Sequence, residues 1–172
     1  QVSRLLGRYR FLKEEQGESL RLVRDALVWS ERAGDPLEIA LACNDAGMVY
    51  AHIGHFEQGI DYLLASLRRL EEAGLEATGS PLNNIGNIYL LQGKPKQALE
   101  FFERALELAL AGGSGREQVV MLGNCGRALT ELGRYEEALR HHERAVELAR
   151  TLGAMDTIET ANVRLVLPED SL

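Results

Sequence analysis

The chain is poor in aromatic residues and in cysteine. Aromatic residues make up 6% of its 172 positions, and only two positions are cysteine. Two cysteines do not supply the disulfide framework of a small secreted domain. We therefore expect Cys43 and Cys125 to be small, buried and reduced.

An excess of positive charge is also lacking. The chain has 26 acidic and 19 basic residues, with a formal net charge of −7. Nucleic-acid binding draws most of its affinity from contacts between basic residues and phosphates, so a DNA or RNA partner is disfavoured. Of the basic residues, 16 are Arg and only 3 are Lys, which favours a GC-rich, bacterial source.

No stretch has the apolar length of a transmembrane helix, and no signal peptide is visible. The first residue is Gln1 rather than Met, so we expect the natural N terminus to lie outside this sequence. These features predict a cytoplasmic protein that makes no membrane contact.

Motifs of catalysis and metal binding are missing too. There is no P-loop, no GxSxG and no recognisable pairing of a nucleophile with a base. His52 and His55 flank a turn, while His141 and His142 are adjacent, and no cluster of Cys or carboxylates completes a zinc site. We expect no catalytic residues, no bound metal and no cofactor.

What the chain does have is a repeat of about 40 residues. Glycine recurs at one point in each of four repeats: Gly7, Gly47, Gly86 and Gly126. A small residue follows in step at Ala26, Ser66, Ala105 and Ala145, and glycine closes each repeat at Gly34, Gly74, Gly113 and Gly153. A period of this size is typical of solenoids, in which each repeat leaves an apolar face that only stacking buries. The repeats cover about 1–34, 35–74, 75–113 and 114–153.

Each repeat divides into a helix A and a helix B. Glycine turns at 52–56, 91–95 and 131–135 separate them, and a late turn is expected at Glu14–Gly17 in the first repeat. Asp35-Pro36, Ser80-Pro81 and Ser114 mark starts of A helices. Glycine inside a helix costs about 1 kcal/mol relative to alanine, so its recurrence predicts a close approach of helix A to its own helix B. A last helix at 156–167 would cap the stack, and 168–172 would form a tail.

These residues resemble tetratricopeptide repeats, a family with a small residue eighth, an aromatic eleventh and alanines twentieth and twenty-seventh in each repeat. The third repeat matches at Gly86, Tyr89, Ala98 and Ala105, and the fourth at Gly126, Ala138 and Ala145. The resemblance implies an all-α, right-handed solenoid over residues 1–167. The long repeat is similar to that of spindle-orientation adaptors and of bacterial regulators with helical sensor modules, which hold peptides in a groove lined by A helices.

All six asparagines fall on predicted A helices, although asparagine is a poor residue for a helix interior. We predict that the groove is lined by seven polar residues: Arg8, Asn44, Asn83, Asn84, Asn87, Asn124 and Arg127. A carboxamide donates and accepts hydrogen bonds, so it can pair with a peptide backbone without reading side chains. Alternatively, these asparagines form a solvated polar face, or bond between neighbouring A helices.

The family's carboxylate clamp, built from Lys and Asn, is matched only in part. Asn87, Asn124 and Arg164 match it, but Asn83 and Thr160 stand where lysines are expected. This departure disfavours a grip on a free C terminus.

Two functions remain open. The first is a non-enzymatic scaffold that binds a protein or an extended peptide. The alternative is a ligand-sensing regulatory domain of a larger bacterial signalling protein or transcription regulator. Association of like chains through the terminal helices is a further expectation.

Overall fold

The helices follow the predicted order of A and B elements. The structure is a computed structural model that describes residues 16–75 and 79–154. Within those ranges it has no strand and seven helices: α1 (Gln16–Ala33), α2 (Pro36–His52), α3 (Phe56–Glu72), α4 (Gly79–Leu91), α5 (Pro95–Ala111), α6 (Gly115–Glu131) and α7 (Tyr135–Thr151). Helices α2, α4 and α6 are A helices; α1, α3, α5 and α7 are B helices. Arg8, Arg164, Thr160, the predicted cap at 156–167 and the tail lie outside the described residues.

Two of the predicted helix starts are confirmed by their capping hydrogen bonds. The Asp35 carboxylate accepts from the backbone N–H of Leu37 at 2.9 Å. The Ser114 hydroxyl accepts from the backbone N–H of Glu117 at 3.4 Å. These bonds satisfy amide groups that have no partner within the helix.

Two predicted boundaries are wrong by a few residues. Helix α4 begins at Gly79 and not at Ser80-Pro81. Pro81 is then the third helical residue, where it is tolerated because first-turn amides donate no bond within the helix. Helix α1 already includes Gln16 and Gly17, which the sequence placed in a turn.

The predicted glycine turns between A and B helices are confirmed. Gly54, Gly93 and Gly133 have φ angles of 85°, 67° and 72°. Glycine adopts this left-handed conformation without the steric cost that a Cβ brings. In each turn the next residue donates its backbone N–H to a carbonyl five positions back, at 2.9 Å, as from His55 to Tyr50.

The chain forms two compact units, Gln1–Ile88 and Tyr89–Leu172, with the boundary inside α4. The predicted single domain over 1–167 stays a prediction. In the first unit a cluster of Val23, Ala46 and Val49 joins α1 to α2. Helices α2 and α3 approach closely, since a Cβ on Gly47 would lie 2.6 Å from Leu63 Cγ and 2.8 Å from the Gly59 carbonyl oxygen.

In the second unit the core lies between α5, α6 and α7. One cluster is built around Phe102, which is fully buried against Cys125 and Leu129. Another joins Val119 and Leu122 of α6 to Ala145 and Ala149 of α7. Both cysteines are free thiols and both are buried, as predicted.

Candidate functional site: the polar face of α2 and α4

In the first compact unit, some side chains of α2 and α4 lie outside the core and form part of the surface. On α2 they are Leu37, Leu41, Asn44 and Met48, which are spaced to share one side of a helix. On α4 they are Ser80, Asn83, Asn84 and Asn87. We call these eight residues the α2–α4 face. The three asparagines of α4, Asn44 and Met48 are half-buried, whereas Leu37 and Leu41 are 45% and 37% exposed.

A hydrogen bond between side chains joins the two helices within this face. The Asn84 amide nitrogen, Nδ2, donates to the Asn44 carbonyl oxygen, Oδ1, at 2.9 Å. For this pair the structure therefore shows the alternative in which asparagines bond between neighbouring A helices. A carboxamide has two N–H donors and an oxygen that accepts twice. One bond uses a single donor of Asn84 and a single lone pair of Asn44.

Helix α3 fixes the position of α2 from behind. The Ser66 hydroxyl donates to the Ala40 carbonyl at 2.7 Å in the buried contact between these helices. The close approach at Gly47 lies further along the same contact. Helix α2, which carries Asn44, is therefore fixed to α3 both by the Ser66 hydrogen bond and by the close contact at Gly47.

Charge is scarce on both helices of this face. Helix α4, Gly79–Leu91, contains no acidic or basic residue. Helix α2 contains two acidic residues, Glu38 and Asp45, of which Asp45 is buried at 5% exposure. Both residues interact with other groups of the chain.

The other predicted groove residues lie in the second unit. Asn124 on α6 is buried at 6% exposure, while Arg127 is half-buried. Burial lowers the pKa of the Arg127 guanidinium, and nearby Glu131 opposes that shift. At this exposure Asn124 offers little surface to a partner. A groove role for these two residues stays a prediction.

Sequence reasoning missed Leu37 and Leu41. Their signal was present, because with Asn44 and Met48 they recur at helical spacing on a side of α2 away from the buried stripe of Cys43, Ala46 and Gly47. The glycine columns mark the opposite stripe of α2, which forms the core.

The histidines make local contacts. Nδ1 of His52, His55 and His141 lies within 2.8–3.0 Å of an oxygen one helical turn away or nearer. Among the described residues, no three His, Cys, Asp or Glu side chains are grouped so that they could hold a metal ion. Nor does any helix in the described part of the chain have the length and apolar character needed to cross a membrane.

The family model of the tetratricopeptide repeat matches residues 37–111 and 78–151, which is more than half of the chain. The chain belongs to the tetratricopeptide repeat family. The resemblance to tetratricopeptide repeats, predicted from the recurring glycines and alanines, is thus confirmed. The predicted all-α solenoid fold is confirmed with it. No curated protein sequence matches the chain significantly.

Solved structures share this fold at low sequence identity. BtubC (BKLC) from P. vanneervenii is 19% identical with a TM-score of 0.74, over 99% of this chain and 67% of that one. Aspartyl phosphate phosphatase F from Bacillus subtilis is 17% identical with a TM-score of 0.80, over 92% of this chain and 42% of that one. A Rap protein complexed with competence and sporulation factor is 19% identical with a TM-score of 0.74, over 92% and 46%.

The chain therefore spans less than half the length of the last two structures. Tetratricopeptide repeats are in general scaffolds for protein interaction rather than catalysts. Fold alone does not identify a ligand, because binding depends on the residues of the site.

Proposed function

We propose that this tetratricopeptide repeat chain binds an extended segment of a partner protein along the α2–α4 face, without catalysis. The observation that carries the proposal is that four half-buried asparagines share this face. The bond between Asn84 and Asn44 ties two A helices together next to Asn83 and Asn87.

Such a surface suits the backbone of a peptide. Each carboxamide can accept from a peptide N–H and donate to a peptide C=O. Side chains that are half-buried and carried on packed helices lose less freedom on binding than mobile ones, which lowers the cost of association.

The segment bound is internal rather than a free C terminus. Helix α4 carries no lysine or arginine that could neutralise a terminal carboxylate. A charged group without an opposite partner is costly to desolvate. Amidation of the peptide's C terminus should therefore leave its affinity unchanged.

A selection from displayed random linear peptides tests the proposal. An enriched peptide is synthesised and titrated calorimetrically against the wild type and the Asn83→Ala/Asn87→Ala variant. We expect a loss of about 1–3 kcal/mol for each peptide group left unpaired. Gln97→Ala, which removes an exposed carboxamide from α5, is the matched control and should bind as the wild type does. Equal affinity of the wild type and the double variant would overturn the proposal.

A second candidate is the sensing domain of a longer regulator. It is favoured by the likeness to a Rap protein complexed with competence and sporulation factor, of which this chain spans 46%. Hydrogen exchange with and without the selected peptide separates the two functions. A sensor should change amide exchange in α6 and α7 as well as in α2 and α4, whereas a passive scaffold should be protected only at the α2–α4 face.

A further inference from the structure

We infer that the segment accepted by the α2–α4 face is uncharged and carries two apolar side chains, at alternate positions, that pack on Leu37 and Leu41. This inference rests on the peptide binding proposed above and names the class of peptide. It concerns the first compact unit alone.

Helix α2 has two apolar sides, and only one of them is buried in the protein interior. The inner side holds Ala40, Cys43 and Ala46, which are buried. Leu37 and Leu41 lie on the other side, 45% and 37% exposed, one helical turn apart. Asn44 and Met48 continue the same side of the helix towards its C terminus. The two leucines therefore form a small apolar patch next to the carboxamides of the face.

The charges on the two helices exclude a charged segment. Helix α4 has none, Asp45 of α2 is buried, and Glu38 of α2 already interacts within the chain. A lysine or glutamate of the ligand would lose water here and find no ion-pair partner among the residues of the face. An aliphatic or aromatic side chain would instead remove leucine surface from water, which is favourable.

The spacing fits an extended chain. A helix rises about 1.5 Å per residue, so Leu37 and Leu41 are separated by about 6 Å along the axis, as are Asn83 and Asn87. In an extended peptide, side chains on the same side are about 6.6 Å apart. Backbone groups that point in the same direction have the same spacing. A segment lying along the helix axes can thus place alternate side chains on the leucines and alternate backbone groups on the asparagines.

From Leu37 to Met48 the face measures about 16 Å along the axis, the length of about five or six extended residues. The expected pattern is an apolar residue, any uncharged residue and a second apolar residue. A short uncharged stretch adjoins this pattern and is bound through its backbone.

Displayed random linear peptides selected on the wild type provide the test. Enriched peptides should share the apolar, any, apolar pattern without charge inside it. A synthesised peptide should bind the Leu37→Ser/Leu41→Ser variant at least tenfold more weakly. Glu or Lys in place of either apolar residue of the peptide should weaken binding by a similar factor. Leu110→Ser, which changes a leucine 47% exposed on α5, is the control and should bind as the wild type does.

Each outcome decides between the two proposals. If no selected peptide prefers the wild type over Asn83→Ala/Asn87→Ala, then peptide binding by this face is wrong and the present inference falls with it. If peptides depend on Asn83 and Asn87 but are charged, or bind the leucine variant equally well, only the present inference is overturned. Circular dichroism melts establish folding, and Leu41→Ala replaces the double leucine variant if that variant does not fold.

Discussion

The imidazole of His142 occupies the space that a side chain at position 126 would need. A Cβ built on Gly126 would lie 2.5 Å from Cε1 and 2.7 Å from Nε2 of His142. In the second repeat Gly47 meets Leu63 and the backbone of Gly59 in the same way. In both repeats the glycine of helix A packs against the helix B of its own repeat, as the sequence predicted.

Alanine at these glycines should destabilise the fold. Gly126→Ala forces a buried ring to move, and we expect a loss of about 1–3 kcal/mol in the free energy of unfolding. Gly47→Ala should cost more, because it meets a backbone oxygen at 2.8 Å that cannot rotate away. Urea denaturation measures both changes.

Gly17→Ala is the matched control for this series. Gly17 lies in helix α1, and a Cβ there would meet no atom of the described residues within 4 Å. Its replacement should be neutral or stabilise by up to about 1 kcal/mol. A loss at Gly17 as large as at Gly126 would show that close helix approach is not the cause.

His142 should make the stability depend on pH. Burial lowers the pKa of its imidazole, and the neighbouring His141 lowers it further. The unfolded state, with a pKa of about 6.5, then binds the proton more tightly than the folded state. The contribution of neutral His142 to the free energy of unfolding is therefore complete above about pH 6.5. It decreases as the pH is lowered from there to the folded-state pKa.

Replacing His142 with Phe tests this dependence. Phe102 holds the equivalent place in the third repeat and is fully buried. Nδ1 of His142 is buried and finds no hydrogen-bond partner in the described part of the chain, so its removal should stabilise by about 1 kcal/mol or more at neutral pH. The fall in stability below about pH 6.5 should shrink in His142→Phe. Identical pH profiles for wild type and His142→Phe would contradict the assignment.

The bond between Asn84 and Asn44 should appear as a coupling energy. Asn44→Ala, Asn84→Ala and the double variant form a double-mutant cycle in denaturant unfolding. We expect coupling of about 0.5–1.5 kcal/mol, the usual net contribution of one hydrogen bond. Strict additivity would mean that the bond does not contribute to stability.

The sequence predicts those features that depend on neighbours along the chain. The caps at Asp35 and Ser114 and the turn at Gly54 obey local rules of hydrogen bonding and φ angle, so they were found in place. The start of α4 was missed, because both Gly79 and Ser80 are compatible with a first helical turn. The local rules do not choose between them.

Contacts between helices were harder to predict. The repeat columns align Asn44 with Asn83, yet the hydrogen bond goes to Asn84, one residue further. The rotation of one helix against the next decides which carboxamide comes within 3 Å, and a sequence period fixes that rotation only to within a residue. Asn124 and Asp45 occupy equivalent positions in their repeats. Both are buried, which the polarity of their side chains did not predict.

The short glycine turns also bear on how the chain forms during synthesis. The groups that meet at Gly47 and Gly126 are fewer than twenty positions apart in the chain, so little loop entropy opposes their contact. A ribosome needs roughly 2–8 s to add the ~40 residues of one repeat, whereas local helical structure forms in about a microsecond. Each of these two helix pairs therefore has time to close before the next repeat is complete. Until its successor arrives, its open apolar end is the surface that nascent-chain chaperones would recognise.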